Sequence, residues 1–470
     1  MLPSRYSHMN KNLLYLFLLV ISGCSEGEKK SSYVSFAGEI VNPINEYVIL
    51  YKDDVKLDSA KLDKNNRFSF KFDTIKEGLH HFNHSREYQY VYLEQGDSIQ
   101  IRLNTIDFDE SLVFSGIGSD INNFLIDMFL ANEKEEILMR SSYFKTDPEE
   151  FHQQIETLRN EKLKTLNQLN LESPLSAEAN KLAELSINYT YYNYKEIYPF
   201  EHRNRTGKRV ANRLPKNFYA YRNTVNFNNK NLNYLTPYYN FVKSHLKNIS
   251  YSGCEKKCGV VDETITNQLH FNRHKLSLID SLIKEDELKD NLFRNVAFEY
   301  LLRGRDSEKN NETFIQDFHL KSGNNRHMSE INELYEGIRN MQPKKKIPNV
   351  MVTDVNGNNI SLQEIAKNRK VAFYFWTGSK QRYFNDVIER TAFLSKTKKD
   401  YTFVGINYRT DESTWKGMIE NAKLDKAFQF KADNFEELAK ALTIYQRNKC
   451  IVTDDATIVD GFTTLWAANL

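Results

Sequence analysis

Cysteine is scarce in this chain, with four in 470 residues, at Cys24, Cys254, Cys258 and Cys450. Histidine is absent from residue 345 onward, so a Ser-His or Cys-His arrangement within that part of the chain is excluded. Proline does not occur after Pro348. Charge of one sign is also lacking. The 64 basic and 62 acidic residues leave a net charge of +2 and no long basic run, so no nucleic-acid partner is expected. The short lysine run at 344–346 lies between Pro343 and Pro348 and reads as a solvated linker. No apolar run reaches the roughly 20 residues that a membrane-spanning helix needs.

What is present argues for a folded, multidomain protein. Apolar residues make up 40% and charged residues 27%. The length suits about three units of 100–200 residues.

Near the start, Lys11 precedes nine apolar residues (13–21), then Ser22, Gly23 and Cys24. The run suits a signal-peptide core, and Met9 offers a more compact start. Ile21-Ser22-Gly23-Cys24 resembles the bacterial lipobox, which implies that Cys24 becomes a lipidated first residue. The alternative is an ordinary signal peptide with a chance cysteine. The expected division is thus a lipoprotein signal peptide at 1–24 and a tether at 25–32. The expected location is the cell envelope, with the membrane engaged through the lipid and Ser25 favouring the outer membrane. In an oxidising compartment, Cys254 and Cys258 form a candidate disulfide.

Residues 33–118 alternate apolar and polar positions in short runs such as YVSFAGEI, RFSFKFD and DSIQIRL, separated by Asn, Asp, Gly and Lys clusters, which predicts a β-sandwich. Gly38, KLDKNNRFSF (61–70), LEQGDSI (93–99) and FSGIGSDINNFL (114–125) resemble the small β-domain that opens many Bacteroidetes envelope lipoproteins. Residues 119–340 change to three- and four-residue spacing, which predicts an α-helical domain broken at Pro199, Pro215 and Pro237. Its tyrosine-rich stretch, INYTYYNYKEIYPF, reads as packed helix faces with hydroxyls at the rim, or as a ligand groove. A linker is expected at 341–349 and β-α-β alternation over 350–470, with apolar strands buried on both faces.

Residues 347–466 resemble the thioredoxin-like envelope proteins of the TlpA/ResA type. The likeness is carried by IPNVMVTDVNGNNISLQEIAKNRKVAFYFW, FVGINYRTDESTWKGMI and CIVTDDATIVDGF. The fold class expected is therefore multidomain α+β: an N-terminal β-sandwich, an α-helical middle domain and a C-terminal α/β thioredoxin-like fold. The resemblance implies a thiolate at a helix start, a second thiol three residues on and a cis-proline facing them. The two thiol positions fall at Ser379 or Lys380 and at Arg382 or Tyr383, and Arg447, Asn448 and Lys449 fill the proline's place. A dithiol mechanism at this junction is excluded by composition, and whether the chain is an enzyme at all stays open.

Trp376, Ser379, Lys380, Arg382 and Arg447 form a candidate pocket for a ligand or anion, the alternative being a solvated basic rim. Ser379 reads as a helix cap rather than a nucleophile, and Cys450 as a small buried residue rather than a peroxidatic one. Cys254-x3-Cys258-x11-His270-x3-His274 approaches zinc-finger spacing, but a disulfide is favoured and no metal is expected. His80, His81 and His84 read as strand alternation. No cofactor is expected. The expected function is a redox-inactive binding or scaffold module with a protein or peptide partner. One alternative is a thiol-disulfide oxidoreductase using non-standard cysteines, and another is a structural part of an outer-membrane assembly.

Overall fold

The computed structural model describes residues 32–84, 87–253, 260–261, 264–303, 306–379, 381–445 and 448–467. The signal peptide, Cys24, Cys254, Cys258, Lys380 and Arg447 lie outside the described residues. The protein is mixed in class, and it divides into two units. One holds the residues up to 225 and 231–241; the other holds 226–230 and everything from 242 onward. The helices of 119–340 are thus shared between them.

In the first unit, strands β1 (Val34–Val41), β4 (Arg67–Phe72), β7 (Ser98–Asn104) and β8 (Val113–Ile117) form a sheet in the order β4-β1-β7-β8. Strands β2 (Tyr47–Lys52), β3 (Val55–Lys61), β5 (Gly78–His84) and β6 (Glu87–Leu93) form a second, in the order β3-β2-β5-β6. Alternation puts Phe36, Phe70 and Ile99 of one sheet and Leu50, Phe82 and Val91 of the other into a common core. The Phe36 and Phe82 rings meet across it with centroids 5.3 Å apart. Gly38 lies inside β1 opposite Ile101, whose carbonyl oxygen would sit 2.6 Å from any added Cβ. Only glycine permits that approach.

A short helix α1 (Phe108–Ser111) precedes β8, and three long helices follow: α2 (Ser119–Ser141), α3 (Pro148–Glu172) and α4 (Ala177–Thr206). Pro199 does not break α4, contrary to the expectation from sequence; it stands inside the helix. Packing next to it outweighs the lost backbone hydrogen bond. Tyr198 stacks on Phe151 at 3.9 Å and donates its hydroxyl to the Thr146 carbonyl at 2.7 Å. Pro237 is the second residue of α5 (Thr236–Gly253), where a missing N–H costs little.

The second unit contains a short ribbon of β9 (Val260–Val261) and β10 (Thr264–Ile265). Helices α6 (Gln268–Leu282), α7 (Asp286–Leu301), α8 (Glu308–Ser322) and α9 (Met328–Asn340) follow. Its sheet is built from β11 (Met351–Thr353), β12 (Asn359–Ser361), β13 (Lys370–Trp376), β14 (Tyr401–Asn407), β15 (Gln429–Lys431), β16 (Lys449–Asp454) and β17 (Thr457–Thr464). The order is β12-β11-β15-β14-β13-β16-β17. β13 and β14 run parallel, and β16 pairs antiparallel with both β13 and β17.

Four helices cover this sheet: α10 (Leu362–Ile365), α11 (Gln381–Thr397), α12 (Glu412–Asn421) and α13 (Phe435–Ala441). Phe373 and Phe375 of β13 pack with Leu362 of α10 and Leu438 of α13. Tyr374 and Trp376 point the other way, into a cluster with Phe384 of α11 and Trp415 of α12. A strand buried on both faces must be apolar throughout, which is why VAFYFW has no polar face.

Residues 341–349 differ from the linker expected. Met341 and Ile347 are buried in the sheet's core, and the Lys344 and Ile347 amides donate to the Ile458 and Ala456 carbonyls at 2.8 Å. Lys344 and Lys346 do face solvent. The lysines hid a segment whose apolar residues are too widely spaced to show a period.

Candidate functional site

The junction after β13 is where the thioredoxin-like resemblance places chemistry. The Trp376 carbonyl accepts from the Tyr408 amide at 3.0 Å, tying the strand end to the start of the loop after β14. The Gly378 amide donates to Thr410 Oγ1 at 2.8 Å, so close that a Cβ on Gly378 would meet Thr410 Cγ2 at 2.7 Å. Tyr383, on the first turn of α11, donates its hydroxyl back to the Phe375 carbonyl at 3.2 Å. Strand, loop and helix are therefore held together without any sulfur.

The residues expected to form a pocket here separate by depth. Ser379 and Arg382 are exposed, and the Ser379 hydroxyl lies 3.2 Å from that of Thr377. Trp376 is fully buried, its ring 4.8 Å from Phe384, so it does not wall an open groove. β13 points the indole into the face of the sheet that α11 and α12 cover.

Across the sheet, β16 begins where the cis-proline would stand, and no cis peptide bond occurs among the described residues. Lys449 is buried instead, its Nζ donating to the Thr443 carbonyl at 3.0 Å and to Thr443 Oγ1 at 2.6 Å. Burial pushes its pKa down to about 7, against the opposing pull of Asp460. Cys450 is wholly buried in β16, and burial pushes its thiol up to about 12. A thiol so placed supplies no thiolate at neutral pH. The sequence placed Lys449 near the proline's position but did not show that its amine is buried. Its signal was a single cation opening an otherwise apolar strand.

Among the described residues, no group of three or more His, Cys, Asp or Glu side chains is placed to hold a metal ion. His84 Nε2 accepts from the Ile44 amide at 2.9 Å and its Nδ1 lies 3.0 Å from the Tyr47 carbonyl, so it pins a turn. His80 is buried, its pKa driven down to about 3 by burial, then by Lys52. His81 stacks flat on Tyr51 at 4.9 Å.

A second concavity, of about 560 Å³, lies in the first unit between α2 and α4. From α2 it takes Leu125, Phe129, Asn132, Glu133, Glu136 and Arg140. From α4 it takes Ser186, Thr190, Asn193, Tyr194, Ile197 and Glu201. Both sets step along the chain by four, three, one, three and four residues, each tracing one face of its helix. Tyr88, Gln89 and Tyr90 of β6 and the start of α5 complete the walls. The tyrosine-rich stretch thus both packs between helices and lines a concavity. Tyr191 is packed, with its hydroxyl on Glu135 at 2.8 Å, while Tyr194 faces the cleft.

No protein-family model and no curated protein matches the chain. Solved structures do resemble part of it. The thioredoxin domain of a thiol-disulfide oxidoreductase from Bacteroides vulgatus is 21% identical, covering 25% of this chain and 86% of its own, with a TM-score of 0.22. A thiol:disulfide interchange protein from a Bacteroides species is 20% identical over 26% of this chain and 81% of its own, with a TM-score of 0.22. A thiol-disulfide oxidoreductase from Bacteroides fragilis is 21% identical over 24% of this chain and 88% of its own, with a TM-score of 0.21. Identities this low say nothing of activity, and with such TM-scores the fold assignment rests on strand order. Part of the chain is thioredoxin-like in fold: a central β13 with a parallel partner, an antiparallel closing hairpin and helices on both faces. Among the described residues no helix is long and apolar enough to cross a membrane.

Proposed function

We propose that the chain is a lipid-anchored cell-envelope protein whose thioredoxin-like region acts as a binding or scaffold module and performs no dithiol exchange. The observation that carries this reading is the junction itself. Its strand and helix are tied by backbone and hydroxyl contacts, with Ser379 or Lys380 and Arg382 or Tyr383 at the places where the resemblance would put thiols. Lys449 and a buried Cys450 occupy the side of the sheet from which a cis-proline would face them. A fold that kept its scaffold while losing both halves of a redox site is suited to holding a partner.

The test is insulin reduction by the full chain with dithiothreitol. The expected result is a background rate for the protein and for Cys254→Ser alike. Turnover above background that disappears in Cys254→Ser supports instead the oxidoreductase reading, with Cys254 and Cys258 as the working pair. The anchor is tested separately, by metabolic labelling with a radioactive fatty acid. Labelling abolished by Cys24→Ala supports it, and unchanged labelling overturns it.

A further inference from the structure

We propose that the cleft between α2 and α4 binds a small alkylammonium ion, one or two protonated amines on an apolar stem. The argument begins with charge. Four carboxylates (Asp109, Glu133, Glu136 and Glu201) line the cleft against one cation, Arg140. Arg140 is held by Glu136, its Nε at 3.1 Å from the carboxylate, and Glu201 is satisfied by Arg205 at 2.9 and 3.1 Å. Asp109 accepts from Gln89 Nε2 at 2.9 Å, which leaves Glu133. Glu133 forms no hydrogen bond or ion pair among the described residues, and desolvation, then Asp109, Glu110 and Glu136, raise its pKa. A cation placed there relieves that repulsion; an anion would add to it.

The remaining chemistry points to the same guest. The buried Asn193 Oδ1 has no hydrogen-bond partner among the described groups, although its side chain lines the cleft. Like the carboxylates it is an acceptor, so the cleft asks its guest for donors. The rings of Tyr88 and Tyr90 stand 6.4 Å apart at 74°, and Phe129 adds a third aromatic wall. Ring faces set at an angle attract an ammonium group and shelter its methylenes. Leu125, Ile197 and Leu235 supply an apolar lining for the stem. The volume lies within the range of small-molecule sites.

The experiment is calorimetric titration of the full chain with three probes of equal length: 1,5-diaminopentane, 1,5-pentanediol and glutarate. The expected result is saturable binding of the diamine alone, weakened by added salt. Glu133→Gln, at an exposed position that leaves the fold intact, is expected to weaken diamine binding by about tenfold, the loss of one close charge pair. The proposal is overturned if the diamine shows no saturable binding in the millimolar range. Equal binding of the diol, or diamine binding indifferent to Glu133→Gln, overturns it as well.

Discussion

The β13–α11 junction and the α2–α4 cleft are opposites in construction. The junction lies in the thioredoxin-like part of the chain, yet its large aromatic is buried and its loop is tied back by hydrogen bonds from Gly378 and Tyr383. The cleft belongs to a helical layer outside that part, yet it keeps a lone carboxylate, an unmatched amide oxygen and open ring faces. The lesson is that a resemblance in architecture and the groups a structure leaves unsatisfied are separate properties, each to be read on its own.

Substitutions can break that contrast. Trp376→Ala should cost about 3–5 kcal/mol in urea unfolding, the range for a large side chain removed from a packed core. A loss below about 1 kcal/mol would mean that the indole faces a groove after all. A control of similar size comes from the first unit, away from the cleft. Glu196 is fully buried and accepts from Tyr221 Oη and from Arg222 Nε, each at 2.9 Å. Glu196→Ala strands both donors and should also cost about 3–5 kcal/mol.

Next in size is the pH response of Lys449. Its folded pKa is about 7 against an ordinary 10.5, so the unfolded chain binds the extra proton between those values. Stability therefore rises with pH across that window, and the penalty of burying the charge is complete below it. Lys449→Met should flatten the rise in melting temperature from pH 7 to 10. An unchanged slope would show that the amine is solvated. Cys450→Ala should cost about 1 kcal/mol, in line with the loss of one small buried group. In the native protein the Cys450 thiol should react with a thiol reagent only at the rate of unfolding. The smallest stability effect is expected from Tyr88→Ala, within about 0.5 kcal/mol because the ring is already 57% exposed, together with weaker diamine binding. That pairing of a silent melt with a lost ligand is the reverse of the result expected at Trp376.

Legibility in the sequence followed the strength of the periodicity. The two-residue alternation of RFSFKF and SIQIRL and the unbroken apolar run of VAFYFW announced half-buried and fully buried strands, which β4, β7 and β13 are. Met341 and Ile347 were illegible because two isolated apolar residues beside three lysines carry no period. Pro199 misled because tertiary packing on Tyr198 overrides a local breaker. At the junction, the absence of thiols was plain from composition, but the depth of Trp376 at the strand's end depends on how closely α11 and α12 pack over it. The cleft went unseen because it exists only when two distant stripes are brought face to face.

Those matched stripes on α2 and α4 also define how the cleft can be lost by insertion or deletion. One residue added within either helix turns everything beyond it by about 100°, replacing the lining downstream with residues from the outer surface. Four residues added together return the face to within about 40° of its place. The cleft is thus written in helical phase as much as in residue identity. Chains of this kind should tolerate whole-turn length changes in α2 and α4, while single-residue changes there should abolish the site even with all twelve lining side chains still encoded.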